Sequence, residues 1–317
     1  MQASHVSDHI RFRKGRVIVV GRHQHYVARG YQRGFADGER IILVDKLNRT
    51  RKEVGIRHAF VARSHSTFAD SKGQLRDEVD EEWGRIENMS IRNMRRVTDT
   101  NANLDVEATA AIKAIAALHF ARSESIRDAA LRFEPEFIDD YARQAESDEQ
   151  LKQMFRKEYG RESREGELQE LVLVRGEFMV DSNLSQVDRM LHIYNTSLEI
   201  FEPFYVQIIR PMKGQSGFSF CDSPLVNHCR KTGKTGPRDG LAIGDSDLLL
   251  IPLGRYICAA LTAEQDPHVT ISPSLVEYIN HLTWESAVRF VAYHPKEHPG
   301  GVIPDFANWI AGANGIG

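Results

Sequence analysis

Apolar runs of strand length and apolar positions at helical spacing divide the chain into three regions. Residues 16–20, Arg-Val-Ile-Val-Val, form a β-branched run closed by Gly21 and predict a strand. Val27, Tyr31 and Phe35 recur every four residues, the spacing of one helical face, in a short segment ending near Asp37-Gly38. Arg40 to Asp45 is an apolar run flanked by turn residues, again a strand. Leu75, Val79, Trp83, Ile86, Met94 and Val97 fit an amphipathic helix of about 20 residues. Residues 105–122 repeat the pattern through Ala111, Ile115 and Leu118, with Asp105 placed to cap the first turn. The charged stretch 137–158 and the segment 184–200 predict further helices.

The last third changes character. Phe204–Ile209, Gly217–Cys221, Leu248–Ile251 and Arg255–Leu261 predict strands separated by Gly, Pro and Asp turns. Ser272-Pro273 marks a helix start, with Leu275, Ile279 and Leu282 on one face and a second short helix expected after Thr283. From His294 onward Gly and Pro predict loop. Helices in the middle with strands on either side predict an α+β fold, in which a mixed sheet of N- and C-terminal strands accompanies a central helical cluster. One domain is expected over 12–292, with a loop-rich tail over 293–317.

Composition narrows the class. With 317 residues, 41% hydrophobic and 27% charged, the chain is neither disordered nor fibrous, and three cysteines do not make a disulfide scaffold. The chain has no apolar run of the roughly 18–20 residues that span a bilayer and no secretory signal, so a cytoplasmic protein without a membrane role is expected. The net charge of −3 conceals an asymmetry: residues 1–63 hold fourteen Lys and Arg against five Asp and Glu, a net of +9, and the remainder carries −12. Arginine pairs bidentately with phosphates, so this segment suits a phosphate-bearing partner; it would equally suit the acidic remainder of the same chain.

Several motifs in order resemble a known family. These are His23-Gln24-His25-Tyr26-Val27, then Tyr31, Arg33 and Phe35, then Val44-Asp45-Lys46. Ile86-Glu87, Leu118–Arg122, Phe218–Pro224, Pro252-Leu253 and Ile279-Asn280 with Ala287 and Arg289 follow. Together, over residues 22–292, they resemble the bacterial domain-of-unknown-function family numbered 4238. Ala28 departs from that family's Pro, and Cys221 stands where it has Ser before Asp222. The resemblance implies a domain extent and no chemistry.

The chemistry must therefore be read from the residues. On an extended chain His23 and His25 face the same side, where they could share proton transfer or simply lie at the surface. Asp45-Lys46 at a strand end matches one element of metal-dependent nucleases, the acid holding a cation and the Lys steadying water. Asp45 could equally open a turn toward Asn48. Glu87, at the edge of an apolar helix face, calls for an Arg partner or a shifted pKa. His119 and Arg122 share a face with Ile115, which suits core residues. Asp222 follows a strand, where sites gather, although Asp-Ser-Pro is also an ordinary turn. Thr232-Gly233-Lys234-Thr235 is not a phosphate loop, because His228 occupies the place of its leading Gly.

These features together suggest a nuclease-like hydrolase directed at phosphodiester bonds, in a setting such as defence against phage. His23 and His25 would be catalytic with Asp45, Glu87 and Asp222, and those three carboxylates would hold a divalent cation such as magnesium. Arg22, Arg29 and Arg33 would hold phosphates of a nucleic acid or nucleotide. The alternative is a non-catalytic module that binds nucleic acid or protein through the basic N-terminal segment.

Overall fold

A computed structural model describes residues 10–13, 16–19, 23–63, 68–69, 75–76, 78–100, 104–128, 139, 142–180, 183–264 and 273–303. The N-terminal strands are β1 (Ile10–Arg13), β2 (Arg16–Val19), β3 (His23–His25), β4 (Arg40–Asp45), β5 (Thr50–Gly55), β6 (Val61–Arg63), β7 (Phe68–Ala69) and β8 (Leu75–Arg76). A single helical turn, α1 (Arg29–Gln32), continues as a 3-10 turn over Arg33–Phe35 and buries Val27, Tyr31 and Phe35 completely. The middle region carries α2 (Glu78–Thr100), α3 (Val106–Ala121), α4 (Glu149–Tyr159), α5 (Glu167–Val180) and α6 (Asn183–Phe201). The last third holds β9 (Tyr205–Ile209), β10 (Phe220–Cys221), β11 (Val226–His228), β12 (Leu248–Gly254), β13 (Ile257–Thr262), α7 (Pro273–Ser286) and β14 (Phe290–Tyr293).

The fold is α+β, with two four-stranded sheets in place of the single one expected. One runs β10-β14-β4-β5 and joins N- and C-terminal strands; the other, β11-β12-β13-β9, is wholly C-terminal, and the pairings in both are antiparallel. The continuous apolar run of β4 now has a cause. Ile41 and Leu43 point into the main core, whereas Ile42 and Val44 point into a smaller one with Val291 and Tyr293. A strand buried on both faces needs no polar alternation.

The main core reaches from the sheets to α2 and α3. Phe220 is its aromatic centre, 4.5 Å from the Phe35 ring, 5.2 Å from Phe60 and 5.6 Å from Tyr31. The Asp105 carboxylate caps α3 by accepting the Ala108 amide at 2.7 Å, as its position suggested. Three expectations are corrected. Leu75 belongs to β8 and not to the following helix. α7 runs unbroken to Ser286, so no second helix begins after Thr283. Packed structure also passes residue 292, since Tyr293, Val302 and Ile303 line the smaller core.

Replacing Phe220 with Ala empties the point where these rings meet. Chemical denaturation should show a loss of about 3–5 kcal/mol, with Phe220→Leu costing markedly less.

Candidate functional site

The polar residues singled out in the sequence do not gather into one site. β3 pairs antiparallel with β6, His23 opposite Arg63 and His25 opposite Val61. The side chain of His23, and Arg22 altogether, lie outside the described residues. His25 is half-buried, with Nε2 3.2 Å from the Ile56 carbonyl. Burial holds its imidazole below the usual range, and the nearby Arg29 and Arg122 charges push the same way.

Glu87 has the arginine partner its place on the helix called for. Arg122, only 3% exposed, donates one terminal nitrogen to the Glu87 carboxylate and the other to the His25 carbonyl. It thereby ties β3 to α2 and α3. His119, one turn earlier, is buried against the Tyr31 ring at 4.5 Å. Burial lowers its pKa to about 3, so it is a neutral core residue, and neither ring nitrogen has a hydrogen-bond partner among the described residues.

Asp45 opens the turn that its neighbour Asn48 suggested. Its Oδ1 accepts the Leu47 and Asn48 amides, each at 3.1 Å, and its Oδ2 accepts Asn48 Nδ2 at 2.8 Å. Arg289 completes the set with donors at 3.0 and 2.7 Å. Burial works against ionisation of Asp45, yet the bonds from Arg289 and Asn48 outweigh it and hold the carboxyl below the usual range. Lys46 Nζ, expected beside a reacting water, instead donates to the Trp284 and Ala287 carbonyls at 2.5 and 2.9 Å and caps the end of α7.

Asp222 is fully buried and accepts three successive amides, Val288 at 2.9 Å, Arg289 at 2.7 Å and Phe290 at 2.7 Å. Burial pushes its carboxyl up to about 6 against the pull of those donors. The expected cation site is therefore corrected. Asp45, Glu87 and Asp222 each spend their oxygens on a different structural bond, and no group of three or more His, Cys, Asp or Glu side chains among the described residues could hold a metal ion.

Another cluster does converge. A cavity of about 450 Å³ lies between the α1 turn, α2 and the β12–β13 hairpin, and four arginines line it: Arg33, Arg95, Arg210 and Arg255. No carboxylate is among its described lining residues, although Glu39 pairs with Arg33 at 3.0 Å and Glu297 with Arg255 at 2.5 Å. Arg210 donates to the Val97 carbonyl at 2.7 Å, and partial burial lowers its pKa without discharging it. Glycine makes the close packing of this wall possible. A Cβ on Gly34 would stand 2.8 Å from the Leu253 carbonyl, and Arg255 donates its amide to Gly34 at 2.8 Å.

Of the predicted phosphate ligands among the described residues, only Arg33 lies here; Arg29 is exposed and is not among the lining residues. Sequence reasoning missed Arg95, Arg210, Arg255 and Tyr256. The sequence places the last pair at the start of a strand over Arg255–Leu261, whereas they form the turn that precedes β13.

Residues 23–297 match the family model "Protein of unknown function (DUF4238)", and the chain belongs to that family. No curated protein and no solved structure gives a significant match. No described helix is long and apolar enough to cross a membrane.

Removing Arg122 takes the buried guanidinium from both Glu87 and the His25 carbonyl, so Arg122→Ala should cost about 3–5 kcal/mol in denaturant unfolding, and Glu87→Gln less, because an amide still accepts. Asp222 gives a pH signature. Its folded pKa near 6 exceeds the ordinary 3.8, so the folded chain holds a proton the unfolded chain has lost between these values. The stability it contributes is full below pH 4 and is lost as pH rises through 6. Wild-type stability should fall relative to Asp222→Asn across that window. A constant difference would mean the three amides keep the carboxylate ionised.

Proposed function

We propose that this protein binds a phosphate-bearing polyanion of the nucleic-acid class in the arginine cleft, and that binding without hydrolysis is its basal property. The observation that carries the reading is the convergence of four guanidinium groups, brought by four separate elements, on one cavity with no carboxylate among the described residues of its lining. Each guanidinium has five donors, so the single Nε bond from Arg255 to Glu297 does not exhaust its capacity for phosphate oxygens. The binding reading is favoured over the hydrolytic one because the carboxylates that would hold a cation already serve turn, strand and helix contacts.

This basic surface is only partly the N-terminal one. Arg33 comes from the positive first fifth of the chain, whereas Arg95, Arg210 and Arg255 come from the acidic remainder. Among the N-terminal arginines outside the cleft, Arg40 pairs with Glu53. The cleft thus supplies the focused positive field that a diffuse charge excess would not.

Fluorescence anisotropy with labelled oligonucleotides over a salt series tests this. About four phosphate contacts predict a slope in log affinity against log salt of about −3 for a single strand and about −3.6 for a duplex. Arg210→Ala should lower the slope by about 1 and weaken low-salt binding about 5- to 10-fold. Chelator and His25→Ala should leave binding unchanged. Absence of salt-sensitive binding at low salt would overturn the proposal, and cleavage that requires magnesium would replace it with the hydrolase reading.

A further inference from the structure

We infer that the polyanion is single-stranded and lays one unpaired base on the ring of Tyr256. The inference rests on the cleft being a nucleic-acid site, and it concerns what a polyphosphate chain alone would not use. Arg255 and Tyr256 are the two residues of the turn joining β12 to β13. That turn is pinned from both sides. The Arg255 amide donates to Gly34 at 2.8 Å, and its carbonyl accepts the Phe218 amide at 2.7 Å.

The side chains are fixed as firmly as the backbone. The Arg255 guanidinium lies 4.5 Å from the centre of the Tyr256 ring, a cation–π arrangement. Glu297, 8% exposed, holds that guanidinium at 2.5 Å while also accepting the Gly217 amide at 2.9 Å. Tyr256 nevertheless stays 48% exposed at the edge of the cavity. A large aromatic ring, held still and left half in solvent beside four cations, has the make-up of a stacking platform in a single-strand groove.

Geometry then separates the forms of nucleic acid. Inside a duplex both faces of every base are covered by its neighbours, so the Tyr256 ring reaches a base face only after that base is flipped, at a cost of a few kcal/mol. The concavity has the size of a small-ligand pocket, which admits a nucleotide and its flanking phosphates and not the width of a double helix. In a single strand the bases are already accessible, and the Tyr256 ring can take one while Arg210 and Arg95 meet the backbone.

The test compares a labelled single-stranded oligonucleotide, its duplex and inorganic polyphosphate, with wild type, Tyr256→Ala and Tyr256→Phe. Wild type should bind the single strand about ten-fold or more tightly than the duplex. Tyr256→Ala should lose about ten-fold on the single strand and nothing on polyphosphate, and Tyr256→Phe should retain affinity, because stacking needs the ring and not the hydroxyl. Equal affinity for strand and duplex, or an unchanged Tyr256→Ala, would overturn the inference while leaving polyanion binding intact. Failure to bind any of the three probes would instead overturn the cleft as a polyanion site. Tyr256 is exposed, so loss of folding in its variants is not expected, and circular dichroism checks this.

Discussion

The Asp222 carboxylate, sealed from solvent, grips three consecutive amides at the entry to β14, and much of the architecture hangs from that grip. A charge with no water must be satisfied by protein, and three amides in a row present the donors that a carboxylate needs. Because the amides belong to residues 288–290, the end of α7 and the start of β14 are held in fixed relation to β10. The backbone repeats the connection: Asp222 donates its amide to the Phe290 carbonyl at 3.0 Å, and Lys46 donates its own to the Arg289 carbonyl at 2.8 Å. The Arg289 side chain then runs to Asp45, so one short segment ties three strands of the first sheet.

The other end of the same segment builds the cleft. Gly217 donates to Glu297, Phe218 to the Arg255 carbonyl, and Ser219 to Asn280. Asn280 in return donates to the Gly217 and Gly301 carbonyls at 3.0 and 2.9 Å. Residues 217–222 therefore act as a spine: one end fixes β14, and the other fixes the hairpin tip that carries Arg255 and Tyr256. Gly217 is required there, since a Cβ would stand 2.7 Å from the Arg255 carbonyl. Packing and the proposed ligand contact meet at this point, because the bond that holds Arg255 over Tyr256 belongs to a buried glutamate that also secures the spine.

The fold was more legible in the sequence than the site. β4 was readable to the residue, and Val27, Tyr31 and Phe35 gave the buried face of the α1 turn, because periodicity reports burial directly. The short strands around the hairpins were harder, since a two-residue strand such as β10 is set by a partner, β14, about 70 positions away in the chain. The cleft left almost no local trace. Arg33 and Arg255 lie 222 positions apart and meet only because Gly34 lets the α1 turn rest against the hairpin. Charge counting found the region of Arg33 but was blind to Arg95 and Arg210, which stand in the remainder of the chain, acidic as a whole.

Asp45, Glu87 and Asp222, which looked most like a cation site, hold structural bonds, and the physical reason is general. Asp, Glu, Arg and Lys are costly to bury, so where a fold does bury them it surrounds them with donors and acceptors. The same types at strand ends and helix edges then imitate an active site in the sequence. What separates the two is whether the group still has capacity for a ligand. The five bonds on Asp45 occupy both of its oxygens and leave a cation only at the expense of the turn and of Arg289. Tyr256 is the opposite case: it is held in place by Arg255, yet half of it still faces water. A group that the fold immobilises without satisfying marks the place where a partner is to be sought, and in this chain that place is the arginine cleft.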